Sequence, residues 1–296
     1  MYFCAVFGRR ISYDDTKMNK FLTAIFASVL LMFSCKGGKM TSDGGEVPAD
    51  SVDSVEAEAT DTMELLIEET PMPKAADELF DDFLFNFAAN RKLQTERIVF
   101  PLPVTNGDAT EYIKKDEWKM EHFFMRQGYY TLIFDSRRQM DLGKDTAVSH
   151  VVVEKIHLDI KTVKQYVFDR VNGLWMMRAI NISPIYKNEN ASFLKFYQHF
   201  VSDSTFQIAS LDETVHFVGP DPDDDFEQME GVITPDTWPA FAPEMPDKMI
   251  YNINYGMSPG KSNIKIFVIR GISNGLEMEM TFCRKDGRWV LTRLTT

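Results

Sequence analysis

The chain has 296 residues, 44 of them acidic and 32 basic, for a formal net charge of −12. With no stripe of Lys and Arg anywhere in it, that balance argues against nucleic acid as a partner. Of the three cysteines, Cys4, Cys35 and Cys283, only Cys283 remains if Cys4 is not translated and Cys35 carries lipid, which then leaves no room for a disulfide framework or a cysteine-based metal site.

In chain order, Met1–Lys17 carries Arg9, Arg10, Asp14 and Asp15 and reads as an extension ahead of a true start at Met18. The segment Met18–Cys35, "MNKFLTAIFASVLLMFSC", then has the order of an export signal. Lys20 supplies the positive end, and Phe21–Phe33 is an uncharged apolar run of thirteen residues. Such a run is shorter than the ~20 residues a membrane span needs. Ser34-Cys35 resembles the end of a bacterial lipobox, with Met32 where Leu is usual. Cys35 is therefore expected to carry lipid and to tether the chain to a membrane of the cell envelope. The residues after it, "KGGK", lack the acidic run of Bacteroides-type surface-export signals. A periplasm-facing location is expected from that difference.

Residues 36–75 hold ten acidic residues, three lysines and no aromatic side chain. A segment of that composition cannot bury enough apolar surface to offset the entropy of ordering it. It is expected to be a disordered acidic stalk.

The body that follows, of about 220 residues, fits one large domain or two small ones. An internal repeat favours two. Phe80, Phe83, Phe87 and Gln94 recur as Phe193, Phe196, Phe200 and Gln207, each 113 positions on. The phrase "FDRVNGLW" at Phe168–Trp175 recurs 114 positions on as "FCRKDGRW" at Phe282–Trp289. A tandem duplication is inferred, with units at 76–184 and 188–296. In each unit the Phe stripe predicts an opening helix. Asp77 and Glu189 stand near the expected helix starts, where the helix dipole favours acids. A strand follows, then a Trp-containing stretch around Trp118 or Trp238, then four longer strands. Asn172-Gly173 and Asp286-Gly287 predict two-residue hairpin turns. Trp175 and Trp289, two residues after each Gly, are expected to pack in the hollow of a curved sheet beside the helix.

A helix on a strongly bent antiparallel sheet of about this size resembles the cystatin-like and nuclear-transport-factor-2-like superfamily. The whole chain resembles a Bacteroides-type lipoprotein family of unknown function with two such domains in tandem. The resemblance implies an α+β fold and a cone-shaped pocket between helix and sheet in each unit. It does not imply a function, because that superfamily hosts enzymes, carriers and interaction modules.

Signs of chemistry are sparse. There is no Gly-rich phosphate loop, no nucleophile elbow and no zinc-protease motif. "DPDDDFE" places Asp221, Asp223 and Asp225 at the first three ligand positions of a calcium loop. Phe226 and Val232 then occupy the positions that need Gly and Glu, so a solvated acidic loop is the expected reading and no metal or other cofactor is expected. In the second unit, Tyr197, His199, Asp212, His216 and Tyr251 are the candidates to line an acid–base pocket. Tyr197 and His199 flank the Phe stripe and are expected to turn from the core. Trp175, Trp289, Trp238 and Phe241 are candidate contacts for a small apolar ligand. The Pro-rich segment Thr234–Met249 reads equally well as a lid over the pocket or as an exposed recognition loop. Three functions stay open: a non-catalytic module binding a small ligand, a peptide or an envelope protein; an enzyme using the second unit's pocket; and a structural scaffold of the envelope.

Overall fold

The computed structural model describes residues 72–221, 224–256 and 262–296. The expected leader, Cys35, all of the stalk before residue 72, and Asp223 lie outside the described residues. The chain joins the core slightly before the expected boundary at Ala76. Met72 already packs against the first core, and Lys74–Asp77 forms a 3-10 turn.

The first unit opens on helix α1 (Phe80–Ala89), whose Phe80, Phe83, Leu84, Phe87 and Ala88 are buried. These spacings make one apolar face, as the stripe predicts. Asp81 and Asp82 occupy its first turn, where the dipole favours acids. Asp77 lies ahead of the helix and serves differently: it forms a two-pronged pair with Arg97 and accepts from the Trp175 N–H. Helix α2 (Arg91–Arg97) follows, capped by the Asn90 side chain on Leu93 N. Strands β1 (Leu102–Asn106), β2 (Ala109–Ile113) and β3 (Tyr129–Phe134) come next, then a single helical turn, α3 (Arg137–Met140). Long strands β4 (His150–His157), β5 (Thr162–Val171) and β6 (Leu174–Pro184) close the unit.

The second unit repeats the order. Helices α4 (Ala191–Ser202) and α5 (Ser204–Ala209) precede β7 (Leu211–Asp221), β8 (Asp224–Ile233), β9 (Met249–Asn254), β10 (Ile264–Gly271), β11 (Glu277–Lys285) and β12 (Arg288–Thr295). Asp203 caps α5 from the place that Asn90 holds before α2. Of the stretch read as an acidic loop, Asp221 ends β7 and Asp224 opens β8, and the two are paired in register. The repeated phrase is the predicted hairpin. Positive φ at Asn172 and Gly173, and at Asp286 and Gly287, matches the turn such dipeptides favour. Trp175 lies against Phe80 with ring centroids 4.9 Å apart, and Trp289 against Phe193 at 5.7 Å.

The strands form two six-stranded sheets, β2-β1-β6-β5-β4-β9 and β3-β10-β11-β12-β7-β8. The fold is α+β, with two helix-on-sheet units in tandem. Each sheet is antiparallel but for one parallel pair, β1 with β6 and β7 with β12. Neither sheet is contiguous in sequence. Strand β3 leaves the first unit and pairs with β10, Phe134 opposite Ile266. Strand β9 leaves the second and pairs with β4, Asn254 opposite Val152. The two cores interlock accordingly. The first, under α1, includes Tyr251 and Ile253 from β9 and Ile266 and Val268 from β10. The second, under α4, includes Ile133 from β3, Ile156 from β4 and Val163 from β5.

Each core thus depends on apolar residues from the other unit. A chain limited to residues 72–187 would expose the flank of β4 that β9 covers. We expect such a half, made alone, to show no cooperative unfolding transition by circular dichroism. Made together with residues 188–296, the two halves are expected to co-elute as one folded species. An isolated half with a sharp thermal transition would refute this dependence.

Candidate functional site

The five residues expected to line a second-unit pocket do not converge. Tyr197 is buried rather than turned from the core, and its hydroxyl donates to the Pro246 carbonyl at 3.0 Å. The buried face of α4 runs through Phe193, Leu194, Tyr197 and Phe200, leaving Phe196 partly covered. Burial pushes the Tyr197 phenol well up. His199 is exposed and rests on the Phe206 ring. Asp212 takes an ion pair from Lys285 at 2.7 Å. His216 is half exposed, 3.5 Å from Glu230. Tyr251 is not in the second cone at all, because β9 carries it into the first core.

The apolar candidates are mostly packing residues. Trp175, Trp238 and Trp289 are buried, and Phe241 is exposed on the ring of Phe217. The Pro-rich segment covers the second cone: Trp238 is in its core, Met245 packs on it, and Pro246 receives Tyr197. Among the described residues no group of three or more His, Cys, Asp or Glu could hold a metal ion. Asp221 ends β7, and nothing is described of the side chain of Asp225.

A site that the sequence reading missed starts from a repeated clasp. Gln94 donates to the Phe87 carbonyl at 2.9 Å and accepts from the Trp118 indole at 3.1 Å. Gln207 donates to the Phe200 carbonyl at 3.1 Å and accepts from the Trp238 indole at 2.8 Å. In both units the clasp ties the opening helices to the Trp loop. In the first unit it reaches further. Gln94 also donates to the Glu121 carbonyl at 2.8 Å and accepts from the Glu121 N–H at 3.1 Å.

Glu121, so pinned, turns its carboxylate toward β4 and β5 at the edge of the first core, where its side chain stays partly exposed; this edge is the mouth of the first cone. Tyr166 donates its hydroxyl to Oε2. Lys155 Nζ stands 3.2 Å from Oε1 and Lys164 Nζ 3.5 Å from Oε2. Tyr251, Lys155 and Lys164 are neighbours on one row of the sheet, because Lys155 pairs with both of the others. Lys155 sits 5.9 Å over the Tyr251 ring and Lys164 4.8 Å over the Tyr166 ring. The Tyr251 hydroxyl is buried and has no hydrogen-bond partner. His157 follows two residues along β4, on the same face.

Burial alone would raise the Glu121 carboxyl, but the Tyr166 hydroxyl and then the charges of Lys155 and Lys164 outweigh it and hold it below its ordinary value. Burial, with the Glu121 charge, pushes both the Tyr166 and Tyr251 phenols up. Burial lowers Lys164 against the pull of Glu121. Burial and Lys155 lower His157. At neutral pH the set is a fixed carboxylate, two lysines and two undissociated phenols. It can bind and orient a polar group through many donors and one acceptor.

The second unit supplies an internal control. Val153 opposite Tyr166 corresponds to Phe267 opposite Met280, 114 positions on. Lys155, Lys164 and Tyr166 therefore correspond to Ile269, Met278 and Met280, which are all buried. Tyr251 corresponds to Thr131 and Glu121 to the exposed Phe241, in step with Trp118 and Trp238. The same place in the same fold is built without charge. Charged groups set in a core rarely add net stability over apolar ones, so the cluster is not what the architecture needs.

A small hollow, of about 30 Å³, lies beside the ends of β3 and β9, lined by Asp135, Gln139, Asn190, Asn252, Asn254 and Tyr255 among others. Its polar walls are internally occupied. Lys265 bridges Asp135 and Asn190, Asn252 donates to Glu154, and Tyr255 donates to Asp81.

Two interlocked helix-on-sheet cones, each closed by a Trp loop, define a nuclear-transport-factor-2-like (NTF2-like) protein built twice in one chain. A crystal structure described as an NTF2-like protein from Bacteroides fragilis is similar to it at 43% identity and a TM-score of 0.69, covering 76% of this chain and 98% of that one. A family model described as a domain of unknown function, DUF4348, matches residues 59–296, and the chain belongs to that family. No curated protein matches the chain.

Two measurements check the clasp and the cluster. Gln94→Ala strands four hydrogen-bonding groups in the core and is expected to cost about 3–5 kcal/mol by urea unfolding; Gln207→Ala, with two, is expected to cost about 1–3. Equal losses would contradict the extended clasp. Glu121 has a folded pKa below its unfolded one, so its contribution is full above the unfolded value and lost as pH falls through the folded one. Glu121→Gln is therefore expected to destabilise at pH 7 and to flatten that acid limb of the stability profile. An unchanged limb would contradict the assigned pairing.

Proposed function

We propose that the chain is a lipid-anchored, non-catalytic binding module of the bacterial cell envelope, with its ligand taken at the mouth of the first cone. The observation that carries the reading is the contrast between the units. The second mouth is filled with Ile269, Met278 and Met280, whereas the first holds Glu121, Lys155, Lys164, Tyr166 and Tyr251. The Tyr166 hydroxyl and the two lysines hold Glu121 ionised, and burial holds the phenols undissociated, which suits recognition better than acid–base catalysis. The anchor rests on the export-signal order of Met18–Cys35. The missing acids after Cys35 support a periplasmic face.

Both parts have a direct test. Cys35→Ala is expected to abolish labelling by palmitate and to move the protein out of the membrane fraction; unchanged labelling and fractionation would end the anchor reading. For the ligand, wild type and the Lys155→Met/Lys164→Met variant are purified from membranes under native conditions and their co-eluting molecules compared by mass spectrometry. The wild type is expected to retain a molecule that the variant lacks. Identical recovery, or none from either, would overturn the binding site.

A further inference from the structure

We infer that the first mouth receives a ligand carboxylate, held by Lys155 and Lys164 beside Glu121. This rests on the proposal that the mouth is the binding site, and it names the chemistry of the ligand. Three observations carry it. The first is charge. Lys155 and Lys164 share the single carboxylate of Glu121, and among the described residues no other acid is ion-paired to either. One positive charge is left over for an incoming anion.

The second is the balance of hydrogen-bonding groups. Two ammonium groups and two phenols offer many more donors than the two oxygens of Glu121 can accept. The imbalance is visible in the Tyr251 hydroxyl, which is buried without a partner. Groups in that position are costly to leave unmade. A ligand that fits must bring acceptors.

The third is that the site already holds a carboxylate. Tyr166, Lys155 and Lys164 converge on the chain's own Glu121, so their spacing suits that group. Solvent reaches the place: the side chains of Lys155 and Lys164 are 20% and 33% exposed. Glu121 also sets a limit. Its fixed negative charge repels a dianion more than a monoanion, so a carboxylate fits better than a phosphate monoester.

His157 offers a readout. Burial first and then Lys155 and Lys164 hold its pKa down, against the opposite pull of Asp159 and Glu121. An anion bound between those lysines would relieve them and raise the His157 midpoint.

The probes are N-acetyl-alanyl-alanine, its C-terminal amide and inorganic phosphate, titrated into the full chain carrying Cys35→Ala. Binding is followed by calorimetry and the His157 ring by NMR. The free acid is expected to bind and to raise the His157 midpoint, and the amide to bind about tenfold more weakly or not at all. Lys164→Met is expected to lose about tenfold in affinity for the acid. Tyr251→Phe removes one unpartnered hydroxyl and is expected to weaken binding severalfold with a melting temperature equal to or above that of the wild type. Equal binding of acid and amide, tighter binding of phosphate, or full affinity in Lys164→Met would each overturn the inference. Should the acid fail to bind while the lysine variant still loses a molecule that the wild type retains from membranes, the carboxylate class falls and the binding site stands. Should that molecule be retained equally by both, the site itself falls.

Discussion

Strands β3 and β9 trade places between the repeats, and everything else in the molecule is arranged around that exchange. Each is the last strand of the other unit's sheet, and each is buried along most of its length. Their facing edges lie side by side without a regular ladder. Side chains bridge them instead. Thr131 donates to the Tyr251 carbonyl at 2.5 Å and accepts from the Tyr251 N–H at 2.8 Å. Asn252 accepts from Ile133 N at 2.9 Å. Behind it, Glu154 takes hydrogen bonds from Asn252, Gln165 and Asn188. A buried carboxylate is tolerated here because three amides satisfy it.

The exchange also makes the candidate site a joint product of both repeats. Glu121, Lys155, Lys164 and Tyr166 come from the first unit. Tyr251 comes from the second and reaches them only because β9 pairs with β4 through Lys155. A site inside one cone is thereby sensitive to how the two units are joined. The duplication permits this division: two copies of one scaffold exist, and one mouth can keep an apolar packing while the other carries polar groups.

Much of the architecture was legible before any coordinates. The Phe stripe specifies one buried helix face, and Asn-Gly and Asp-Gly specify turns with positive φ, so local chemistry sufficed for these. The 113-residue spacing of Gln94 and Gln207 pointed to a repeated unit, and both turned out to clasp the Trp loops. The exchange was not legible. A strand such as Tyr129–Phe134, buried at five of its six positions, lacks the alternation that would tell which face or partner it has. For the same reason the sequence points Tyr251 to the cone of its own repeat: nothing local marks a strand that leaves it. Glu121 was hidden differently. It lies just after the charged stretch "YIKKDEWK" and reads as one more solvated acid. Its backbone bonds to Gln94 and its side-chain contacts with Tyr166, Lys155 and Lys164 show that it turns inward.

Why the two Trp loops diverge beyond the clasp follows from the residues after each Trp. Trp238 is followed by Pro239, with Pro243 and Pro246 close behind. Proline has no N–H to offer a side-chain acceptor and fixes its own φ. The second loop closes as a 3-10 turn at Trp238–Ala240, in which the Phe241 N–H is taken by the Trp238 carbonyl at 2.8 Å; it leads Phe241 outward and returns through Pro246 to cover Tyr197. Trp118 is followed by Lys119, Met120 and Glu121, none of which restricts the chain in that way. The Glu121 N–H and carbonyl are free to take the remaining valences of Gln94, and its side chain is delivered inward as a consequence. A polar mouth then needs only basic and phenolic partners on the facing row of the sheet, which Lys155, Lys164, Tyr166 and the exchanged Tyr251 provide.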